Sequence, residues 1–184
     1  RFAGIYLRPD AGPVTIQNNT IENNTIGLLA NTATAGSTVM DNTFTNNTTH
    51  VLDLHGAFDL TDLAANNTLD RDVWITGGNA LFGNIQTGID VAVNGDTVNV
   101  GAGTYDEALD ISKSLDIEGA GAGQTIIQPT TLLSTGVGHK YDSNVQTAVY
   151  VHDTDGVTLN GLTIDANNLG ANAVVFWNNA SGTI

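Results

Sequence analysis

The acidic cluster nearest to a catalytic or metal-binding pattern is Asp153-Thr154-Asp155-Gly156, and Asp165 follows one short stretch later. Closely spaced carboxylate oxygens suit a hard cation, so Asp153, Asp155 and Asp165 are the candidate ligands of a calcium ion. The same residues also read as a turn, because Asp side chains bond their own backbone and Gly supplies positive φ. A full EF-hand loop is absent, since Gly156 comes too early in the pattern. Inverting hydrolysis would need two carboxylates set apart with room for a water. The four histidines, His50, His55, His139 and His152, show no ligand spacing such as two His at i, i+4. His139-Lys140-Tyr141 lies in the long excursion from Pro129 to Gln146, the best candidate for a functional loop or else a packing flap. Tyr105, Tyr141 and Trp177 are available to stack on sugars, or to fill core and surface. Acceptor sequons for N-glycans begin at Asn18, Asn23, Asn46, Asn47, Asn66 and Asn179. Stacked turn asparagines would crowd a glycan, which leaves Asn66 and Asn179 as the candidates.

These residues sit in a chain of 184 residues with formal charge -14. Five Lys and Arg provide no basic stripe to displace phosphate counterions, which argues against nucleic acid and against an anionic membrane surface. The absence of cysteine excludes disulfides, thiolate metal sites and a Cys nucleophile. No apolar run approaches the roughly 20 residues of a membrane-spanning helix, so no membrane insertion is expected. The chain opens on Arg1-Phe2-Ala3 without a signal-peptide pattern, and reads as a processed product or a piece of something longer. Asn and Gly occur 21 times each and Thr is more frequent still. Such residues are poor in helix interiors and favoured at turns, so many short strands joined by tight turns are expected.

An internal repeat organises those strands. Ile16-Gln17-Asn18-Asn19-Thr20-Ile21-Glu22-Asn23-Asn24-Thr25 recurs 23 residues later as Val39-Met40-Asp41-Asn42-Thr43-Phe44-Thr45-Asn46-Asn47-Thr48. The same shift carries Gly27-Leu28-Leu29-Ala30 onto His50-Val51-Leu52-Asp53, and back onto Gly4-Ile5-Tyr6-Leu7. Further copies begin at Ala148-Val149-Tyr150-Val151 and Ala173-Val174-Val175-Phe176. A unit this short cannot bury its own apolar face, whereas stacked units can, which predicts a solenoid of three-strand coils. Asn19 over Asn42 and Asn24 over Asn47 are expected to take the left-handed conformation and to bond along the stack.

The repeats resemble the right-handed parallel β-helix of pectate-lyase-like and related secreted proteins. The resemblance is clearest from Ile85-Gln86-Thr87-Gly88-Ile89-Asp90-Val91-Ala92-Val93 through Gly95-Asp96-Thr97-Val98-Asn99-Val100, Gly103-Thr104-Tyr105-Asp106-Glu107 and Leu115-Asp116-Ile117-Glu118-Gly119. In that family this pattern is the entrance of the solenoid, which implies a short capping helix near residues 85–94 followed by the first coil. Asn84 is placed as its N-cap and Gly95 as its stop, with Ile85, Ile89 and Ala92 on one face. The expected fold is therefore all-β, a right-handed parallel β-helix with one capping helix. Residues 1–53 read as coils ending one solenoid, 54–83 as its exit and link, and 84–184 as the cap and first coils of a second.

The family's enzymes imply a competing function, a polysaccharide lyase or hydrolase. Lyases of this kind need a basic residue beside clustered carboxylates. The basic residues are Arg1, Arg8, Arg71, Lys113 and Lys140, none with an identifiable acidic partner on one face. Arg8 reads as a solvated turn residue beside Pro9-Asp10, and Lys113 as structural in the family's first coil. The polygalacturonase-like motifs are absent. The expectation is a non-enzymatic extracellular or cell-surface module: a rod, filament or adhesive scaffold whose partner is a further copy of itself, stacked head to tail. No cofactor is expected beyond the calcium just described; a polysaccharide is the alternative partner.

Overall fold

The computed structural model describes residues 2–31, 36–136, 145–170 and 172–184. They form two compact units, Arg1–Asn84 and Ile85–Ile184. Each is a parallel β-solenoid, and the chain is mostly β with two short helices.

In the first unit, β1 (Ala3–Leu7), β2 (Thr15–Gln17) and β3 (Thr20–Glu22) make one coil, and β4 (Ile26–Ala30), β5 (Thr38–Met40) and β6 (Thr43–Thr45) make the next. β7 (Thr49–Asp53) opens a third. The 23-residue repeat becomes register: Ile5 pairs with Leu28, Leu28 with Val51, Ile16 with Val39 and Ile21 with Phe44, all in parallel. Because strand side chains alternate, like residues stack inward, and Leu28, Val51 and Phe44 are fully buried. The turn asparagines divide their labour in a way the repeat alone did not indicate. Asn18, Asn23, Asp41 and Asn46 take positive φ of 55–58°, while the residue after each stacks. Asn19 N–H and Nδ2 donate to Asn42 Oδ1, and Asn42 does the same to Asn67 Oδ1. Asn24 donates likewise to Asn47.

The third coil departs from the repeat. The stretch read as an irregular exit contains helix α1 (Leu60–Ala65), capped by Asp59, which accepts from Thr61 and Asp62 N–H. The chain then rejoins the sheet as β8 (Thr68–Leu69) beside β6. β9 (Val73–Ile75) and β10 (Ala80–Phe82) follow, and β10 lies antiparallel on β7. That reversal ends the parallel stack of this unit.

The second unit opens with α2 (Ile85–Val91), the expected cap, its Ile85 and Ile89 buried against β11 and β13. Its first coil is β11 (Thr97–Val100), β12 (Gly103–Tyr105) and β13 (Leu109–Ile111). β14 (Asp116–Gly119) and β15 (Thr125–Ile127) begin the second coil, interrupted by β16 (Leu133–Ser134) before β17 (Gln146–His152). β18 (Val157–Asn160), β19 (Thr163–Ile164) and β20 (Asn172–Trp177) form the third, followed by β21 (Gly182–Thr183). Parallel pairing joins β11, β14, β18 and β21; β12, β15 and β19; and β13, β17 and β20. β16 pairs antiparallel with the start of β17, so part of the Pro129 to Gln146 excursion folds back onto the sheet. His139, Lys140 and Tyr141 lie outside the described residues, as does Arg1.

The ends of α2 draw on residues of the first coil. The Glu107 carboxylate, delivered by the turn between β12 and β13, accepts from Ile85 and Gln86 N–H at 2.6 and 2.9 Å. Two of the N-terminal donors are thus satisfied by a carboxylate of the first coil, more than 20 residues further along the chain, a partner that local sequence did not indicate. At the other end, Lys113 Nζ donates to the carbonyls of Ile89, Asp90 and Ala92. An anion at the N-terminus and a cation at the C-terminus both complement the helix dipole.

Candidate functional site

The most concentrated chemistry of the second unit stands on the outward face of β13, β17 and β20. Alternation along β13 and β17 buries Leu109, Ile111, Val149 and Val151, which turns Asp110, Tyr150 and His152 outward. Parallel register sets Asp110 beside Tyr150, and His152 beside Trp177 of the next coil. His152 Nε2 lies 2.8 Å from Asp110 Oδ1, and its Nδ1 2.7 Å from Asp153 Oδ2. The other oxygen of Asp153 accepts from Asn178 Nδ2. Below, Asp110 N–H donates to Gln86 Oε1, and Gln86 Nε2 donates to the Asp110 carbonyl. One bonded column therefore runs Gln86–Asp110–His152–Asp153–Asn178, from the cap helix through three successive coils.

Two carboxylates facing both ring nitrogens favour the imidazolium, which donates from each. The Asp153 hydrogen bond leads in holding the His152 pKa above its ordinary value, against burial that lowers it, with Asp110 assisting. Asp153 is held below the usual carboxylate range by the His152 contact first and by Asn178. Tyr150 stacks on the imidazole with ring centroids 4.6 Å apart, and its hydroxyl pKa is raised by burial and by the neighbouring Asp153 and Asp110. Trp177 is 46% exposed at the rim of this group. A cation bonded on both sides cannot also offer a lone pair, so the column as it stands is a polar latch bordered by aromatic surface.

The acidic residues singled out in the sequence are not gathered into one site. Asp153, with φ of 54°, belongs to this column at the end of β17. Asp155 is exposed two residues further along the same turn. Asp165 ends β19 in a different sheet, where it accepts from Gln128 Nε2 and Asn167 N–H and is held below its ordinary pKa by those bonds. Of the three residues expected to hold calcium, Asp153 and Asp155 share the turn after β17, while Asp165 follows β19 in another sheet. Among the described residues no group of three or more His, Asp or Glu is placed to hold a metal ion.

Other candidates resolve individually. Tyr105 is fully buried core, with its hydroxyl donating to the Gly101 carbonyl, and is unavailable to a sugar. Arg8 is exposed, 3.9 Å from Asp10. Asn66 caps the end of α1 and donates from Nδ2 to the Asp62 carbonyl, while Asn179 is exposed at φ of 64°. Sequence reasoning missed Asp110 and the column. Asp110 and His152 are 42 residues apart, because the Pro129 to Gln146 excursion lengthens that coil, so no fixed repeat offset aligns them. The signal available was the matching alternation in Leu109-Asp110-Ile111 and Val149-Tyr150-Val151.

The first unit has one further buried group. His50 is fully buried on β7, its Nε2 3.1 Å from Asp70 Oδ1, close enough for an ion pair but off the hydrogen-bonding direction. Its Nδ1 lies 3.5 Å from Asn47 Nδ2, and its ring meets Phe44 edge-on. Burial lowers its pKa, opposed by Asp70. A small apolar hollow between α1 and β10 is lined by Leu60, Ala64, Trp74 and Leu81 together with Asp72, whose carboxyl pKa is raised by burial.

Residues 2–87 match the model of a family described as periplasmic copper-binding protein (NosD). The matched stretch covers the first unit and the start of α2. No curated protein and no solved structure matches the chain. Copper in proteins is held by imidazole, thiolate and thioether donors. The NosD-like stretch has no cysteine, one methionine (Met40) and two histidines, His50 and His55. Of these, His50 is buried with Asn47 and Asp70 against its two nitrogens, and His55 Nε2 lies 3.1 Å from Asn31 Oδ1 on the surface. These residues do not fit a copper site. Among the described residues no helix is long and apolar enough to cross a membrane.

Proposed function

We propose that the chain is a non-catalytic β-solenoid module that works outside the cytoplasm as a stiff scaffold. The observation carrying this reading is that side-chain ladders run along the stacking direction in each unit. Asn19, Asn42 and Asn67 form one, and the Gln86 to Asn178 column forms the other. Such ladders tie each coil to the next in addition to the backbone bonds, and they resist shear between coils without disulfides. The family description matched by residues 2–87 supports a location outside the cytoplasm. The scaffold extends by strand pairing, β1 of one copy joining β21, the strand at the opposite end of the same sheet order, in another.

Negative-stain electron microscopy and sedimentation of the purified chain test this, alongside assays for unsaturated or reducing products from polysaccharides. Filaments or end-to-end oligomers without turnover are expected. Discrete monomers would sink the self-assembly, and catalytic turnover would replace the scaffold with a lyase or hydrolase.

A second reading rests on Trp177 at the rim of the column. An exposed indole beside His152 and next in the chain to Asn178 offers a stacking surface with polar neighbours, suited to a polysaccharide. The charge of -14 repels acidic glycans and favours neutral ones. Affinity electrophoresis through neutral polysaccharides is expected to show retardation that Trp177→Ala removes; equal mobility of the two proteins rejects this reading.

A further inference from the structure

We infer that residues 2–87 hold no copper ion, and that the histidine best buried there, His50, is a plug that terminates the asparagine ladder. The repeat itself supplies the argument. Position for position, Gly4 and Gly27 of the first two coils correspond to His50 of the third. A side chain at Gly4 would meet Asn24 Nδ2 at 2.9 Å, and one at Gly27 would meet Phe44 at 3.0 Å and Asn47 Nδ2 at 3.3 Å. Each glycine is small because the asparagine closing its own coil and the backbone carbonyl of the next strand, Gly27 O at 2.9 Å and His50 O at 2.7 Å, fill the space beside it. After Asn47 the ladder has no further asparagine, since α1 and β8 replace the regular coil. The space is then filled by the imidazole of His50, against Asn47 on one side and Asp70 on the other. Gly83 closes over it, where any Cβ would collide with the Asn47 carbonyl oxygen.

A ring so placed keeps one lone pair, turned to the buried Asn47 amide and away from solvent. The tautomer that suits its neighbours puts the proton on Nε2 toward Asp70 and points the Nδ1 lone pair at the Asn47 amide. Asp53, which stands where the repeat has Ala30, supports the same reading. It is a buried carboxylate that accepts from His55 and Phe58 N–H and turns the chain toward α1. Both departures from the repeat are thereby explained by closing the unit.

The experiment is a copper titration of the full 184-residue chain, with Cu(II) followed by electron paramagnetic resonance and Cu(I) followed against a colorimetric chelator. No stoichiometric, chelator-resistant copper is expected. One equivalent that disappears in His50→Asn or His55→Asn overturns the inference, as does one that persists in every histidine variant. An equivalent lost only in His139→Asn or His152→Asn leaves residues 2–87 without copper and supports it. The plug is tested separately without metal, in a Trp177→Phe background where Trp74 reports on the first unit. His50→Gly restores the residue of the earlier coils and is expected to lower that unit's melting temperature; an unchanged melting temperature overturns the plug.

Discussion

His50 and His152 share one side-chain chemistry and have opposite pH behaviour because of what surrounds them. Burial lowers the pKa of His50 below 6.5, so the unfolded chain takes up a proton more readily than the folded one. Its contribution to the first unit is full above 6.5 and is lost as the pH falls toward the folded value. His152 is raised above 6.5 by Asp153 and Asp110, so its contribution is full below 6.5 and is lost as the pH rises through the folded value. As the pH rises, the first unit is therefore expected to gain stability up to about 6.5, and the second to melt at lower temperature only above 6.5, on crossing the folded value of His152. Trp74 and Trp177 lie one in each unit, and melting single-tryptophan variants across this range separates the two responses. Parallel shifts in both units would reject the assignment. A second prediction concerns Asn42, 1% exposed, whose Nδ2 donates to Ile16 and Met40 carbonyls and to Asn67. Asn42→Ala leaves buried donors and acceptors unsatisfied and is expected to cost about 2–4 kcal/mol by denaturant unfolding. Asn19→Ala, at the exposed end of the same ladder, is expected to cost about 1 kcal/mol or less.

At the scale of elements, α2 shows how little of a short helix is local. Seven residues are too few to be stable alone, and both of its ends are satisfied by one coil, through Glu107 and Lys113. Lys113→Met, which keeps the aliphatic stem and removes three hydrogen bonds, is expected to lower the stability of the second unit by about 2 kcal/mol. Glu107→Gln retains an acceptor and an approximate fit but loses the charge, and is expected to cost about 1 kcal/mol. Equal stability of both variants and the parent in thermal unfolding would show that the cap is dispensable. The existence and position of α2 were legible from Ile85, Ile89 and Gly95. Its caps were not, because Glu107 and Lys113 reach it only after a full coil has wound beneath it. α1 was passed over as irregular chain, although Asp59 ahead of Leu60-Thr61-Asp62-Leu63 carries an N-cap signal.

For the molecule as a whole, the formal charge of -14 implies self-repulsion that screening relieves. Raising sodium chloride from low concentration to about 0.1–0.15 M, where the Debye length is about 8–10 Å, is expected to raise both melting transitions. Indifference to salt would mean that the carboxylates are neutralised locally. The sequence by itself determined the solenoid, since a strict 23-residue repeat with alternating inward apolar residues can bury its faces only by stacking. It also determined which turn residues stack, because Asn19, Asn24, Asn42 and Asn47 recur at one phase of that repeat. Tertiary structure alone decided what the exceptions do. Gly to His at position 50 and Ala to Asp at position 53 look like noise in a repeat until the coil above them is missing. Asp110 and His152 are unrelated in sequence until an excursion of variable length has been folded out of the coil. A repeat fixes contacts at one constant separation, so whatever depends on insertions, ends and neighbouring coils is settled only when the chain is wound.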